Sequence, residues 1–476
     1  MLFNSFIFFI FLGTVIPLYY ILPRNWKNPL LLISSYFFYG YWDWRFTSLL
    51  ALSTIIDYYV GKKIGQTEEA KKRKSLLLIS MISNLGILGF FKYFEFFVDS
   101  FVALTSTFGL HLDYLHLNII LPVGISFYTF QTMSYTIDIY RRRLQPSNSL
   151  MEFAVFVAFF PQLVAGPIER AANLLPQIAK LPRATRDQIE KGITLIVTGL
   201  FMKVMIGDTT GRIVDRIFSE PGIYKSPELL SALVLFSIQI YADFSGYSSI
   251  ARGVSKLLGI ELMKNFEQPY LSTNITEFWR RWHISLSSWL KDYLYISLGG
   301  NRKGIRGTYV NLMLTMLLGG LWHGASWNFV IWGGLHGLYL AVHKMMMGDR
   351  KPQTEYKYAG LKSLFIYVLK VSGTFLLVLF TWLFFRATDF HTTEIFFSKM
   401  WNWEGSELTY RFIGITISFL FITLLMDGLS YYSKRHTYIL MNPNKSISYG
   451  ILLSMFVVTI LYMFQAEPLP FIYFQF

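Results

Sequence analysis

The chain of 476 residues contains no cysteine. That absence excludes disulfides, a thiolate metal site and a cysteine-bound acyl intermediate. Charge is scarce too: 15% of residues are Asp, Glu, Lys or Arg, where a soluble domain carries about 25%. Acidic residues are fewer than basic ones, 29 against 43, for a net charge of +14. No long polar domain, internal repeat or low-complexity tract interrupts the apolar runs that recur from Phe3 to Phe476. Met1 to Leu22 has neither a positive leading region nor a small-residue cleavage site, so it reads as a retained membrane helix.

What remains is 53% hydrophobic and 18% aromatic. Its basic residues cluster in short loops, which is the positive-inside pattern of a membrane protein. The same distribution argues against a nucleic-acid partner, which needs a basic face on a folded domain. The lipid bilayer is the expected surround. A helix crosses it with about 20 apolar residues. Candidate segments are 3–22, 29–60 (broken near Asp43), 75–98, 119–139, 151–166, 190–207, 229–251, 308–320, 324–343, 363–385, 412–432 and 446–465. The 61–74 loop, with Lys62, Lys63, Lys71, Lys72, Arg73 and Lys74, is cytoplasmic on this reading, and so are 252–306 and 344–362. The 99–118 loop has no Lys or Arg and lies outside, as do both termini. The 151–166 segment, broken by Pro161, Gly166 and Pro167, dips in and returns. The expected fold is all-α: one polytopic helical bundle over 1–476, with about eleven membrane-embedded segments.

Three groups of residues carry chemistry. The first is Leu318-Gly-Gly-Leu-Trp-His-Gly-Ala-Ser-Trp-Asn328. From Arg306, a helix rises only about 20 Å before Gly319-Gly320 can turn it, which sets His323 near mid-membrane beside Trp322, Ser326 and Asn328. A titratable ring there is either a working group lining a wet cavity or a histidine hydrogen-bonded in a polar core.

The second group runs from Ser272 to Gly304. Asn274 and Glu277 form a capping-box-like start. Phe278, Trp282, Leu286, Trp289 and Tyr293 make one apolar stripe of a single helix, with His283 beside it. Arg280, Arg281, Lys291, Arg302 and Lys303 ring the helix, and Gly299-Gly300 would let backbone N–H groups approach an anion. That suits the phosphates of a nucleotide-containing donor such as coenzyme A. A plain interfacial helix with basic anchors reads the same way.

The third is Gln239 to Gly246, where Asp243 either orients a histidine or basic residue or forms a bridge between helices. Ser245 lacks a Gly-x-Ser-x-Gly elbow and is a weak nucleophile. No metal-spaced His/Asp/Glu cluster is evident among the eight histidines.

Together with Phe160-Pro-Gln-Leu-Val-Ala-Gly-Pro-Ile168, Tyr241-Ala-Asp-Phe-Ser-Gly-Tyr247, Asn265-Phe-Glu-Gln-Pro-Tyr270, Leu298-Gly-Gly-Asn-Arg302 and the closing run Pro470–Phe476, these motifs resemble the membrane-bound O-acyltransferase family. The likeness spans nearly the whole chain and is strongest to the branch that serves alginate O-acetylation. The resemblance implies re-entrant segments around a central funnel, a catalytic histidine at His323 and a second characteristic histidine at His283. Asp243, Ser245, Arg280, Arg281, Trp282, Arg302, Lys303, Trp322 and Asn328 are the expected substrate-binding positions. It further implies acetyl-CoA as donor substrate, with no permanently bound cofactor. The plasma (inner) membrane is the expected location, and the expected partner is a secreted or membrane-anchored enzyme that O-acetylates an extracellular polysaccharide. D-alanyl transfer to teichoic acid, a proton-coupled transporter using His323 and Asp243, and a non-catalytic scaffold are the competing readings.

Overall fold

A computed structural model describes residues 1–114, 116–117, 119–348, 360–400 and 403–474. Among them every regular element is helical, and no strand occurs. Five helices are long and apolar enough to cross a membrane: Ala70–Ser106, Ser226–Leu257, Leu361–Arg386, Thr409–Ser433 and Lys445–Gln465. Their surroundings differ. The apolar window of Ser226–Leu257 is 89% buried, whereas those of the other four are 11–22% buried. A helix that is apolar all round and covered all round is a central post. The other four present their apolar side chains outward, as lipid-facing helices do.

The post is gripped by small residues. A Cβ on Gly192 would meet the Gly253 carbonyl oxygen at 2.9 Å, and one on Gly199 would meet that of Gly246 at 2.7 Å. Two glycine pairs, each seven residues apart on antiparallel helices, let the Arg186–Leu200 backbone lie almost directly on the post. The neighbouring helix then loosens into a π-turn over Phe201–Asp208. Extra residues in a turn rotate side chains out of their former register, and Lys203 and Asp208 both point into the core. Most buried hydrophobic side chains from Met1 to Ile472 join one large cluster, with two small ones beside it around Val197 and Ile206.

Several expected segments are present with altered limits. The break near Asp43 is real: Arg24–Gly40 ends, Asp43 caps a short turn by accepting the Arg45 N–H, and Thr47–Gln66 follows. The 151–166 segment is a helix over Leu150–Ala158 and a single turn over Phe160–Leu163, buried throughout from Phe153 to Ile168.

Two larger differences concern the site. The Gly319-Gly320 pair does not turn the chain; the helix runs on from Gly304 to His323. Its 20 residues rise about 30 Å, longer than the roughly 20 Å expected before a turn at Gly319-Gly320. Nor is 272–306 one helix. It is Ile275–Arg281, then Ile284–Trp289, then a π-turn over Leu290–Tyr295. The break falls on His283, whose φ of +42° is left-handed.

Candidate active site

Helix Gly304–His323 and helix Trp327–Met347 form a tight hairpin, with Gly324-Ala-Ser326 between them. The glycines read as a turn serve instead as a contact. A Cβ on Gly320 would meet the Phe329 carbonyl oxygen at 2.2 Å, and one on Gly333 would meet that of Met316 at 2.3 Å. The two backbones therefore touch, and His323 sits at the hairpin tip. A helix end leaves its last carbonyls without partners. Here Lys92 supplies them, donating to the carbonyls of Trp322 at 2.8 Å and His323 at 3.0 Å, and Tyr93 donates to that of Leu321 at 2.8 Å. A cation at a helix C-terminus is favourable. Lys92 reaches it because Gly89–Tyr93 is a π-turn within the 70–106 helix.

The His323 ring is 3% exposed. Trp332, Phe385, Trp322 and Tyr473 surround it with centroids 5.0 to 5.4 Å away, and the His283 ring lies at 6.4 Å. Neither nitrogen of His283 has a hydrogen-bond partner, and His323 Nδ1 has none. His336, one helix on, is a useful contrast. Trp279 donates to its Nδ1 at 3.3 Å, and Thr381 lies 3.0 Å from its Nε2. That is how a purely structural histidine is held. His323 and His283 are buried with ring nitrogens left open.

One cavity borders this centre and a second lies beside the hairpin, and the two share no lining residue. The smaller, about 50 Å³, is bounded by His323, Trp322, Lys92, Ser126 and Tyr473, and by the 121–125 segment that follows the loop read as external. The larger, about 560 Å³, runs along the other side of the hairpin from Thr308 to Met316, with an apolar floor including Leu312 and Leu340. Arg280, Lys291 and Lys344 line it, together with Ser287 and Thr276. Trp279, in its wall, touches Trp332, which touches His323. Leu290, also in its wall, packs on Gly319.

The sequence-derived positions divide. Trp322 packs against Phe127 beside both histidines, and Arg280 lines the larger cavity. Trp282 is fully buried among Phe266, Phe278 and Trp382, with its indole N–H left without a partner. Asn328 donates to the Ala387 carbonyl at 2.8 Å and ties the hairpin to the Leu361–Arg386 helix. Arg281 is ion-paired with Glu277 at 2.6 Å and lies over Tyr431. Arg302 and Lys303 sit in an exposed loop outside both cavities. The N–H groups of Gly299 and Gly300 donate to Ile296 and Tyr295, which corrects their reading as an open anion cradle. Ser245 faces Met202 and lines a separate polar cavity with Arg252, Asp427 and His436.

Asp243 does pair with a basic residue, Lys203, at 2.8 Å. Its other oxygen accepts the Ile472 N–H at 2.7 Å, and so holds the last described segment of the chain. Lys203 and Lys92 went unread in the sequence, and Tyr473 was read only as part of the closing run Pro470–Phe476. Each of the lysines stands alone in an apolar run, where a lysine ordinarily snorkels to the interface.

The family model of MBOAT, the membrane-bound O-acyltransferase family, matches residues 30–359. A probable alginate O-acetylase, AlgI, of Pseudomonas putida is 40% identical over 499 residues, covering 100% of both chains. A peptidoglycan O-acetyltransferase of Helicobacter pylori is 35% identical, over 86% of this chain and 81% of its own length. A teichoic acid D-alanyltransferase of Streptococcus thermophilus is 30% identical, over 51% of this chain and 61% of its own. The motifs at 160–168, 241–247, 265–270, 278–287 and 318–324 lie inside the matched region, the apolar helices make this a membrane protein, and the chain belongs to the membrane-bound O-acyltransferase family.

Proposed function

We propose that this protein takes acetyl from cytoplasmic acetyl-CoA and passes it across the plasma membrane for O-acetylation of an extracellular polysaccharide, through a partner acetyltransferase on the far side. The observation that carries this reading is His323: a buried imidazole with an open ring nitrogen, bordering one cavity and linked to the wall of a second through two aromatic contacts, Trp332 and then Trp279.

The larger cavity suits the donor. Arg280, Lys291 and Lys344 at its wall match CoA phosphates, and its apolar floor matches the pantetheine arm. Arg281, Arg302 and Lys303 stand outside that role, one ion-paired and two in the exposed loop. The acceptor hydroxyl enters by the smaller cavity. A thioester reacts slowly with an alcohol unless the alcohol's proton leaves as the C–O bond forms. His323 takes that proton. The tetrahedral intermediate then collapses, the C–S bond breaks, and the departing CoA sulfur recovers the proton from the imidazolium. His283, 6.4 Å away ring to ring, orients the thioester carbonyl. No group on this chain needs a permanently bound cofactor for these steps. Acetyl transfer is favoured over D-alanyl transfer because the acetylating relatives match this chain along 86–100% of its length, the D-alanylating one along 51%.

His323→Ala is the test. Expression and folding persist, while acetylation of the exported polysaccharide and release of free CoA thiol from acetyl-CoA are lost. Normal acetylation in that variant ends the assignment. Flux driven by a proton gradient without thiol release turns it toward a transporter.

A further inference from the structure

The strongest structure not absorbed by this mechanism is a buried charge cluster. Lys203 is 1% exposed and pairs with Asp208 at 2.6 Å and Asp243 at 2.8 Å. Asn4 donates to the same Asp208 at 3.0 Å. Asp243 lies on the central post and Lys203 and Asp208 on the π-turn beside it, where a charge left unpaired is costly. Apolar residues would fill that space more cheaply, so the cluster calls for a function.

Asp243, Lys203 and Asn4 also grip the chain's closing segment, while Asp208 holds Lys203 and Asn4 in place. Asp243 accepts the Ile472 N–H at 2.7 Å, Lys203 donates to the Pro470 carbonyl at 3.4 Å, and Asn4 donates to that of Leu469 at 3.3 Å. One turn further out, Arg212 donates to the Glu467 carbonyl at 2.5 Å. These are backbone contacts to a stretch with no helix of its own between Gln465 and Ile472. Irregular backbone within a membrane bundle needs such partners for its polar groups. Three residues beyond Pro470 the segment reaches the catalytic centre. Phe471 packs on Phe244 and Tyr247, and the Tyr473 ring lies 5.4 Å from His323 and 6.4 Å from His283. Tyr473 lines the small cavity with His323, and so does Phe474.

We infer that Lys203, Asp208 and Asp243 are positioning residues: their cluster clamps the 469–474 segment in place so that it forms one wall of the cavity at His323. This rests on the reading of His323 as the base. Asp243 acts through the tail and not as a charge on the substrate, so its hydrogen-bonding shape matters more than its ionisation.

The absence of cysteine makes the clamp directly readable. Ile472 is 2% exposed, and Ile472→Cys places the only thiol on the whole chain. With Asp243 intact, that thiol reacts slowly with a maleimide. In Asp243→Ala it reacts at least about tenfold faster, because the segment detaches. In Asp243→Asn protection is lost only in part: the amide oxygen still accepts the Ile472 N–H, but its NH2 is turned to Lys203, which keeps Asp208 as its partner. Acetyl transfer, measured in the cysteine-free proteins, follows the same order: within about threefold of normal for Asn, and down roughly 10–100-fold for Ala. A thiol that stays protected in Asp243→Ala overturns the inference. So does an Asn variant that loses as much transfer as Ala with its thiol still partly protected, since the charge itself would then be in use. Should Asp243→Ala fail to elute as folded protein, Asn4→Ala decides, and unchanged labelling there overturns the clamp. Labelling needs no turnover. The same order in a His323→Ala background keeps the clamp separate from the base assignment.

Discussion

A single methyl group added to Gly320 tests whether the site depends on how closely the hairpin is closed. Its Cβ would lie 2.2 Å from the Phe329 carbonyl oxygen and 3.1 Å from Gly333 Cα. Ordinary carbon contacts fall near 3.5 Å, so the helices must part by roughly 1 Å. Backbone is on the receiving side, and no flexible side chain can give way. Overpacking of this kind costs about 1–3 kcal/mol of stability. The functional loss is larger, because Gly320 lies one turn before His323 and parting the helices carries the ring away from its wall of Trp332, Phe385 and Tyr473. A misplacement of about 1 Å in a catalytic group costs on the order of 100-fold. Gly320→Ala should therefore fold, with a lowered Tm, and release CoA thiol from acetyl-CoA about 100-fold more slowly. Gly334→Ala, on the facing helix, is the control. Its Cβ would find only Leu317 Cδ2 at 3.5 Å, an ordinary contact, so turnover and Tm stay near normal. Equal turnover in the two variants would refute the reasoning.

Three further outcomes follow from the same geometry. Arg280→Ala should raise KM for acetyl-CoA about tenfold with kcat nearly unchanged, since an exposed cation at the cavity mouth binds ground and transition states alike; a fall in kcat alone would place Arg280 at the chemistry. Lys92→Met should lower Tm and turnover together, because the carbonyls of Trp322 and His323 lose their donor; Tyr93→Phe removes only one such bond and should do less. Asp57→Ala, at a residue that lines neither cavity, should destabilise by about 1–3 kcal/mol without changing KM. It takes one partner each from Ser80, 2.5 Å away, and Asn84, 2.7 Å away, leaving Ser80 with Thr136 and Asn84 with the Ser80 carbonyl.

The membrane class and the helical periodicity were legible in residue order because each is local. Phe278, Trp282, Leu286, Trp289 and Tyr293 are all buried, as the stripe required. Their division into two helices was not legible. The left-handed turn at His283 is enforced from elsewhere: the Asn265 carbonyl accepts the Ile284 N–H at 2.9 Å, and its side chain accepts the Ser285 N–H at 3.3 Å. Gly319-Gly320 misled for a related reason. A glycine that frees the backbone and a glycine that admits a neighbouring helix are the same letter, and only the partner, Gly333, tells them apart. Asn274 illustrates the opposite case, since its cap on the Glu277 N–H needs nothing beyond three residues and formed as expected. Lys203 and Asp243 are forty residues apart and meet only because Gly207 lets one helix lie on the other, 3.1 Å from its would-be Cβ to the Asp243 nitrogen. Tyr473 lies on a segment with no periodicity to read, tied down by backbone hydrogen bonds that leave no trace in composition.

The most direct measurement is sided. Protein is reconstituted in vesicles with radiolabelled acetyl-CoA on the face bearing Arg280 and Lys291, and with the partner acetyltransferase and its polysaccharide on the opposite face. Label should appear on the polysaccharide with normal His323, with one free CoA thiol formed per acetyl group moved, and should vanish in His323→Ala of unchanged Tm. Label crossing at the normal rate in that variant, or crossing with CoA still attached, would contradict the account.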